Sequence, residues 1–336
     1  MSTIQWVASG LPASDGHMFM TSTDGSNWLG VPPSNIFYLD WSFTNDIKFS
    51  VGMWIAVGKG IRRSTGADCP AMFSTDGSHW LPIINFNFNP NNNRLEGTGI
   101  DFSGTWVMSV RMYNSANYGT GLLFKSTDGY NWHLINTSTT ISGDGFYDVR
   151  WINDRWFVVG FGSIYGTSGY IFTTTNANAT NWTIIDWPYP LIIPTKITLF
   201  NNRIAVISVF NPGFIYISDP GYTGTWTSYN IDLNLATRDL TSTGVHIYAV
   251  GTSSDPIRRC NYNVSQWSTP TGATSIGTEI SAISKLIQEG ISTKMIVANA
   301  TGQLARSLDA GDSWESLNIP TEVKIGRVNV ISYRPL

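Results

Sequence analysis

The stretch Ser22-Thr23-Asp24-Gly25-Ser26-Asn27-Trp28 decides the fold, because versions of it recur from one end of the chain to the other. Nearly identical copies occupy residues 74–80 and 126–132, and a copy with one additional residue occupies 307–314. Seven tryptophans, four of which end these copies, follow one another at intervals of 41 to 52 residues. They are Trp28, Trp80, Trp132, Trp182, Trp226, Trp267 and Trp314. A repeat of this length predicts an array of small sheets.

Each clear copy predicts a β-hairpin. A short apolar run such as Met18-Phe19-Met20 precedes the Asp-Gly pair, and a tryptophan with apolar neighbours follows it. Asp-Gly between two such runs is the strongest local hairpin signal, because glycine supplies the positive φ that the turn requires. We expect one hairpin per unit, near residues 18–30, 71–84, 121–135, 170–185, 214–229, 257–268 and 303–317.

Two further strands precede each hairpin. Runs such as Trp54-Ile55-Ala56-Val57-Gly58 and Trp156-Phe157-Val158-Val159-Gly160 are rich in β-branched and aromatic residues, which is typical of strands buried on both faces. A shorter strand and a tight turn come before each run, as at Lys196-Ile197-Thr198-Leu199-Phe200. Four antiparallel strands in each of seven units predict an all-β fold, with residues 1–336 forming a single seven-bladed β-propeller.

The two ends of the chain support a closed ring. The first unit begins with residues 4–9, which correspond to the second strand of the other units, so it lacks an innermost strand. The apolar segment at about 324–333 follows the last hairpin and can supply that strand. Closure of this kind leaves no free sheet edge between the first and last blades.

Composition excludes several classes of function. Only 13% of residues are charged, the net charge is −3, and no basic run exceeds the pairs Arg62-Arg63 and Arg258-Arg259. A general nucleic-acid surface is therefore not expected. No segment approaches the roughly 18 apolar residues of a membrane span, so membrane insertion is not expected either.

No metal or cofactor is predicted. Cys69 and Cys260 fall in the second and sixth units, which are not neighbours in a seven-unit ring, and neither belongs to a metal-ligand motif. The four histidines also follow no ligand spacing, and no phosphate-binding loop, dinucleotide motif or Ser-His-Asp set is present. These histidines are His17, His79, His133 and His246.

The repeated Ser/Thr-x-Asp-Gly-x-x-Trp pattern resembles the Asp-box, or bacterial neuraminidase repeat, of sialidases and other propellers. Four copies are clear, and degenerate copies lead to Trp182, Trp226 and Trp267. The resemblance implies a structural role within each turn, on the face opposite an active site. The residues concerned are Asp24, Gly25, Trp28, Asp76, Gly77, Trp80, Asp128, Gly129, Trp132, Asp309, Gly311 and Trp314.

Ligand contacts are therefore expected on the other face, where longer loops connect the strands. Arginine suits acidic groups, and aromatic rings suit sugars or protein partners. The alternative is that these side chains brace their own loops or pin them to the rim. The candidates are Trp41, Arg62, Arg63, Arg111, Tyr113, Tyr165, Trp187 and Tyr189.

An enzyme is less well supported than a binding protein. The resemblance to sialidases would require an arginine triad, an Asp and a Tyr/Glu pair, but the early Arg-Ile-Pro motif of that family is absent. The arginines in suitable segments, which are Arg62, Arg63, Arg111, Arg238 and Arg258, do not occupy equivalent positions in consecutive units. Other glycosidases need two facing carboxylates, and no motif selects a pair. The candidate carboxylates are Asp40, Asp68, Glu96, Asp144 and Asp186.

The hypothesis is thus a non-catalytic propeller that acts as a binding or structural component. The pattern of repeats resembles propellers of phages and giant viruses, which implies a virion component assembled in the host cytoplasm. Residues 1–7 show no secretory pattern, in keeping with that expectation. The expected partners are proteins of a larger assembly, cell-surface glycans, or both. A sialidase-like glycoside hydrolase is the alternative, and an intracellular assembly scaffold is a further one.

Overall fold

A computed structural model describes residues 5–12, 17–87, 94–113, 119–135, 145–162, 168–185, 187–189, 191–208, 210–211, 213–231, 236–243, 245–261, 266–289, 292–320 and 325–335. Within these ranges the chain forms seven sheets, each built on four antiparallel strands. The innermost strands of consecutive sheets lie against one another around a central channel. This arrangement is the predicted seven-bladed β-propeller.

In blades 2 to 7 the strands follow the order of the chain, and the first strand of each blade is the innermost one. Blade 1 receives its innermost strand from the end of the chain. Blade 1 begins with β1 (Trp6–Leu11), β2 (Phe19–Ser22) and β3 (Trp28–Gly30). Blade 2 contains β4 (Leu39–Ser50), β5 (Met53–Arg62), β6 (Asp68–Ser74) and β7 (Leu81–Pro82). After β8 (Asn85–Asn87), blade 3 contains β9 (Arg94–Phe102), β10 (Trp106–Tyr113), β11 (Gly119–Ser126) and β12 (Asn131–Leu134). Blade 4 contains β13 (Gly145–Ile152), β14 (Arg155–Gly162), β15 (Ser168–Thr174) and β16 (Thr183–Ile185).

The second half of the ring repeats this order. Blade 5 contains β17 (Lys196–Phe200), β18 (Arg203–Ile207), β19 (Phe214–Ser218) and β20 (Trp226–Asn230). Blade 6 contains β21 (Ala236–Ser242), β22 (Ile247–Thr252), β23 (Ile257–Cys260) and β24 (Trp267–Ser268). Blade 7 contains β25 (Ile280–Ile283), β27 (Ser292–Asn299), β28 (Leu304–Ser307) and β29 (Glu315–Ser316), and β26 (Ile287–Glu289) pairs with β27. Short 3₁₀ helices occupy Pro33–Asn35 and Ala273–Ile276.

The last strand, β30 (Arg327–Tyr333), closes the ring. It pairs antiparallel with β1, from Trp6 opposite Tyr333 to Leu11 opposite Arg327, and so becomes the innermost strand of blade 1. On its two sides it lies against β4 of blade 2 and β25 of blade 7. The closure predicted for about 324–333 is confirmed, with the strand beginning at residue 327.

Aromatic pairs close one end of blades 1 to 4. In each pair the tryptophan near the start of the second strand is fully buried and packs on a ring at the end of the innermost strand. The pairs are Trp6 with Tyr333, Trp54 with Phe49, Trp106 with Phe102, and Trp156 with Trp151, with ring centroids 4.9 to 5.1 Å apart. Such pairs bury large apolar areas and fix the angle between the two strands.

The Asp-Gly turns are held by their own aspartates. Oδ1 of Asp24 accepts hydrogen bonds from the backbone N–H groups of Ser26 and Asn27, both at 2.8 Å. The aspartates of the turns at 74–80 and 126–132 accept the same two bonds, also at 2.8 Å. Each carboxylate is thus engaged within its own turn.

Glycine and tryptophan complete these turns. Gly25 has a φ of 73°, which a side chain would strain, and its carbonyl oxygen accepts a bond from Nε1 of Trp28 at 3.3 Å. Trp80 and Trp132 donate in the same way to their glycines. In the longer turn at 307–314, Nε1 of Trp314 is buried and has no hydrogen-bond partner among the described residues. The additional residue therefore removes this bond.

Acid is expected to weaken the fold through Asp24. Burial by itself would raise the pKa of this carboxyl. Hydrogen bonds, led by those from the N–H groups of Asn27 and Ser26, act in the opposite direction and more strongly, so the pKa falls from 3.8 to about 2. Because the folded-state pKa is depressed, the stabilisation is present above about pH 4 and is lost as the pH falls towards 2. Asp24→Ala should lower the free energy of unfolding at pH 7 by about 1–2 kcal/mol. Urea unfolding checks this, and an equal loss at pH 7 and pH 2 would contradict the assignment.

Candidate functional site

The two ends of the ring differ. Trp54 pairs with Phe49 across the first hairpin of blade 2 and with Ser74 at the start of its Asp-Gly turn, so both turns lie at the same end. We call this end the turn face and the opposite end the loop face. The channel between them is lined by the innermost strands β4, β9, β13, β17, β21, β25 and β30.

A β-bulge at one level of the channel aims a side chain inward. Six of the seven innermost strands shift register there, which leaves one residue of each strand unpaired. Bulges redirect side chains in this way and are common beside binding sites. The bulged residues are Asn45, Thr98, Tyr147, Arg238, Ser281 and Asn329, and in blade 5 Thr195 and Lys196 occupy the same level.

These residues line a cavity of about 240 Å³ that opens at the loop face. Glu96, Arg111 and Arg327 complete its wall. Cationic side chains dominate, because the described residues of the wall include three arginines and Lys196 but one carboxylate. The cavity therefore suits a negatively charged group.

Two of the arginines share one carboxylate behind the wall. Nη2 of Arg238 lies 3.7 Å from Oε1 of Glu279, and Nη2 of Arg327 lies 3.6 Å from the same oxygen. The Nε atoms of both arginines are buried and have no hydrogen-bond partner among the described residues. Burial and the neighbouring charge of Arg238 lower the pKa of Arg327. Both guanidinium groups thus retain unused capacity to bind an anion.

Arg111 is held between two tyrosines. Its guanidinium carbon lies 5.1 Å from the ring centre of Tyr113 and 4.7 Å from that of Tyr147, both within cation–π distance. The exposed ring of Phe210 packs edge-on against Tyr147 at 6.1 Å. The cationic wall is thus continued on one side by an aromatic surface.

Glu96 is engaged by three neighbours. Its Oε1 accepts a hydrogen bond from Nδ2 of Asn45 at 3.1 Å and lies 4.0 Å from Nη1 of Arg111. Its Oε2 accepts a bond from the hydroxyl of Tyr113 at 3.2 Å. Burial and the charge of Glu96 raise the pKa of Tyr113, so this hydroxyl stays protonated at neutral pH.

A layer of paired charges crosses the channel towards the turn face. Nη1 of Arg150 lies 2.6 Å from Oδ2 of Asp46 in blade 2, and its Nη2 lies 3.1 Å from Oδ1 of Asp148 in its own strand. Beside them, Nζ of Lys48 lies 2.5 Å from Oδ1 of Asp101. Burial alone would raise the pKa of Asp101, but the charges of Lys48, Lys285 and Arg150 together outweigh burial and lower the pKa to about 2.

The aspartates of this layer also join neighbouring blades. Asp46 accepts the N–H of Ile47 in its own strand at 2.9 Å and that of Ile100 in the next blade at 3.0 Å. The same bridge recurs around the ring, at Asp101 to Trp151, Asp148 to Ile197, and Asp239 to Ile283. The charged layer is therefore part of the framework that holds the blades together.

The structure places the predicted ligand contacts in different environments. Arg111 lines the cavity, and Tyr113 stacks on it. Arg63 is exposed and pairs with Asp40 at 2.8 Å, and neither residue lines the cavity. Arg62 is half-buried in the same hairpin and also lies outside the cavity. Tyr165 falls outside the described residues.

Burial removes two tryptophans from the candidate contacts. Trp41 is 3% exposed, and its Nε1 donates to Oγ1 of Thr44 at 3.0 Å. Trp187 is 7% exposed, and its Nε1 donates to the carbonyl oxygen of Ile192 at 2.9 Å. Tyr189 packs on Trp187 at 5.3 Å between ring centres. The expectation of ligand contacts at Trp41 and Trp187 is corrected, because both rings are buried: Trp41 bonds within its own strand, and Trp187 anchors its own loop.

Sequence reasoning did not name Arg327 or Lys196 as site residues, and it did not predict which residues Arg238 would lie beside. Arg238 was noted only as an arginine in a suitable segment, because its position relative to the other blades was not visible. A signal that could have placed Arg238 is present in the sequence of the innermost strands. Asp46, Asp148 and Asp239 each precede an Ile, Val or Leu, and the residue before each is the bulged one. Aligning the blades on this aspartate would have placed Arg238 in the channel.

The remaining candidate carboxylates do not form a facing pair. Asp68 accepts the N–H of Leu95 at 2.7 Å, Asp40 pairs with Arg63, and Glu96 lines the cavity. Asp144 and Asp186 lie outside the described residues. Across the described part of the chain, no group of three His, Cys, Asp or Glu residues is placed to hold a metal ion. Cys69 and Cys260 are both buried, and they do not form a disulfide with each other.

Comparison of the sequence with known proteins does not identify a family for this chain. No protein-family model matches the chain, and no curated protein matches it. Among the described residues, no helix is long and apolar enough to cross a membrane.

Similar solved structures include a streptogramin B lyase, at 15% identity and a TM-score of 0.56, with 83% of each chain covered. YCF48 bound to D1 peptide has 14% identity and a TM-score of 0.55, over 81% of this chain and 80% of that one. AztD of Citrobacter koseri has 10% identity and a TM-score of 0.52, over 99% and 98%. At these identities the similarity establishes a β-propeller.

Proposed function

We propose that this protein is a non-catalytic recognition module that binds an acidic ligand at the loop face. The observation that carries the proposal is the pair Arg238 and Arg327, which share the single carboxylate of Glu279 and keep both Nε atoms buried without partners. A buried donor without a partner costs about 1–3 kcal/mol, and an incoming anion can relieve that cost.

The cavity size indicates which part of a ligand enters it. Whole small-molecule sites usually measure about 300–1,000 Å³, and this cavity of about 240 Å³ is smaller. We infer that it accepts an acidic group, such as the carboxylate of a glycan. The rest of the ligand would then lie across the loop face, where Tyr147 and Phe210 offer rings for stacking.

The proposal that the site is non-catalytic rests on its carboxylates. Hydrolysis of a glycoside by the common mechanisms needs two carboxyl groups on either side of the bond. Among the described residues of the cavity wall, Glu96 is the one carboxylate, and Asn45, Arg111 and Tyr113 engage it. A second group of the required kind is therefore missing from this wall.

A sialidase-like hydrolase is the second candidate, and one specific observation favours it. Tyr113 hydrogen-bonds to Glu96 beside three arginines, a combination of the kind that the sialidase resemblance requires. Two observations oppose it. The described wall contains no Asp to act as acid and base, and the pKa of Tyr113 is raised, whereas a nucleophilic tyrosine would need it lowered.

The proposed setting is a virus or phage particle, in which the propeller would be a surface, fibre or receptor-binding component. The similarity of its Asp-box-like repeats to those of viral propellers supports this setting. Protein partners in such an assembly and cell-surface glycans are the proposed partners. Isolation of particles that contain the chain would test the setting separately from the ligand.

Binding and turnover should be measured together. The purified protein is applied to an array of acidic and neutral glycans, and hydrolysis of sialosides and neutral glycosides is followed in the same preparation. Binding of acidic glycans without turnover is the expected result. Turnover would overturn the non-catalytic assignment. The absence of both binding and turnover would favour a purely structural role.

Arg327→Ala is expected to weaken binding of an acidic glycan by about tenfold to a hundredfold, because it removes one charge-assisted contact of about 1.5–3 kcal/mol. Arg63→Ala is the matched control, since Arg63 is an exposed arginine outside the cavity. Calorimetric titration of both variants checks the prediction. Equal affinities for the wild type and Arg327→Ala would contradict the placement of the ligand.

A further inference from the structure

A second cavity opens at the turn face and belongs to no site described so far. Its volume is about 500 Å³, within the range of whole small-molecule sites. The layer around Arg150 forms part of its wall on the inner side. Lys196 and Asn329 line both this cavity and the loop-face cavity, so the two cavities are the two ends of one channel.

Among the described residues, the cavity wall carries four cationic and four acidic side chains, and not all of them form ion pairs. Lys48 is paired with Asp101. Lys285, which is exposed to the channel, has no carboxylate within ion-pair distance among the described residues. The charge of Lys48, followed by burial, lowers the pKa of Lys285 to about 8. Lys285 is therefore repelled by Lys48 without an ion pair of its own among the described residues, and a bound anion would relieve this repulsion.

The wall of the cavity offers aromatic and apolar surface close to these lysines. Phe49, Trp151 and Tyr333 end the innermost strands of blades 2, 4 and 1, and all three are half-buried rings that line the cavity. Leu199 and Leu286 line it as well. Trp151 packs on Trp156 inside its blade, at 5.1 Å between ring centres, and stays half-buried at the cavity wall. The ring of Phe49 is covered by Arg334, whose guanidinium carbon lies 4.8 Å from the ring centre.

We propose that the turn-face cavity is a binding site for a small organic anion, one with a planar apolar ring system and a single acidic group. The ring of Trp151 would contact the planar part, and Lys285 together with Lys48 would bind the acidic group. This proposal goes beyond the loop-face function proposed above, because Trp151, Lys48 and Lys285 do not line the loop-face cavity.

The test uses two fluorescent probes that differ in one charge. 8-Anilinonaphthalene-1-sulfonate has planar rings and a sulfonate, and N-phenyl-1-naphthylamine has the same rings without the acid. The wild-type protein should bind the sulfonate probe saturably, with one site per chain and the higher affinity. Absence of saturable binding by this probe would overturn the proposal.

Lys285→Ala locates the acidic group. This variant should weaken binding of the sulfonate probe about tenfold, as expected for a lost charge-assisted contact, and change binding of the neutral probe less than about twofold. Lys59→Ala removes an ammonium group of blade 2 outside the cavity and should leave both affinities unchanged. Unchanged binding of the sulfonate probe to Lys285→Ala, or an equal loss for both probes, would overturn the proposal.

Trp151→Leu locates the ring system. It should weaken binding of both probes to a similar extent, because it reduces the stacking surface and leaves the lysines in place. Thermal unfolding of each variant confirms that it folds, so that a loss of binding reports on the site. Binding of both probes that is unaffected by Trp151→Leu would place them elsewhere and overturn the proposal.

Discussion

Arg150→Ala is expected to lower the free energy of unfolding by about 3–5 kcal/mol, because it leaves buried charges without a partner. The side chains of Asp46 and Asp148 are 6% and 1% exposed, and Arg150 is 18% exposed. Its Nη1 also donates to the carbonyl oxygen of Ile100 at 3.0 Å. One substitution therefore removes contacts to blades 2, 3 and 4.

Urea unfolding followed by tryptophan fluorescence measures this loss. Arg155→Ala is the matched control, because Arg155 lies in the adjacent strand and its guanidinium carbon lies 5.7 Å from the ring centre of Tyr222. We expect that control to cost less than about 1 kcal/mol, as is usual for half-exposed cations. A double-mutant cycle with Asp46→Asn isolates the pair. A cost below about 1 kcal/mol for Arg150→Ala would contradict the structural role of the charged layer.

Truncation after Gly326 is expected to abolish cooperative folding, since it removes β30 and reopens the ring. Val328 and Ile331 are buried, and their burial contributes about 3–6 kcal/mol. The backbone groups of β1 that pair with β30 would lose their partners as well, at about 1–3 kcal/mol for each buried group. These losses are comparable with the whole stability of a typical domain, about 5–15 kcal/mol.

Truncation after Tyr333 is the control, because it keeps every residue of β30 that pairs with β1. It removes the hydrogen bond from the N–H of Arg334 to Gln5 and the contact of Arg334 with the ring of Phe49. Circular dichroism and size-exclusion chromatography compare the two proteins. The shorter one should be unfolded or aggregated and the longer one folded. A folded monomer from the shorter chain would contradict closure by β30.

The blade count and the closure were predictable because their signals are local. Asp24, Gly25 and Trp28 interact within one turn, so their spacing alone reports the hairpin. The continuous apolar runs of β5 and β14 report strands buried on both sides. The missing first strand of blade 1 could be assigned to the C-terminus because only one strand-like segment remained.

The candidate site was predictable only in part. Arg111 and Tyr113 were named because they follow a strand on the loop side, and they do lie at the cavity. Trp41 and Trp187 were named on residue type, and burial removed them. Residue type cannot distinguish a ring that anchors a loop from one that meets a ligand, because both need a large apolar surface.

The sequence by itself determined the repeating unit, the number of blades and the turn chemistry, since each depends on residues a few positions apart. Only the tertiary structure decided which side chains meet in the channel. Arg238 and Arg327 are separated by most of two blades in sequence, and Arg150 contacts an aspartate 104 residues away. Closure of the ring brings such residues together, and a one-residue bulge in six of the seven innermost strands turns one residue of each, such as Arg238, into the channel.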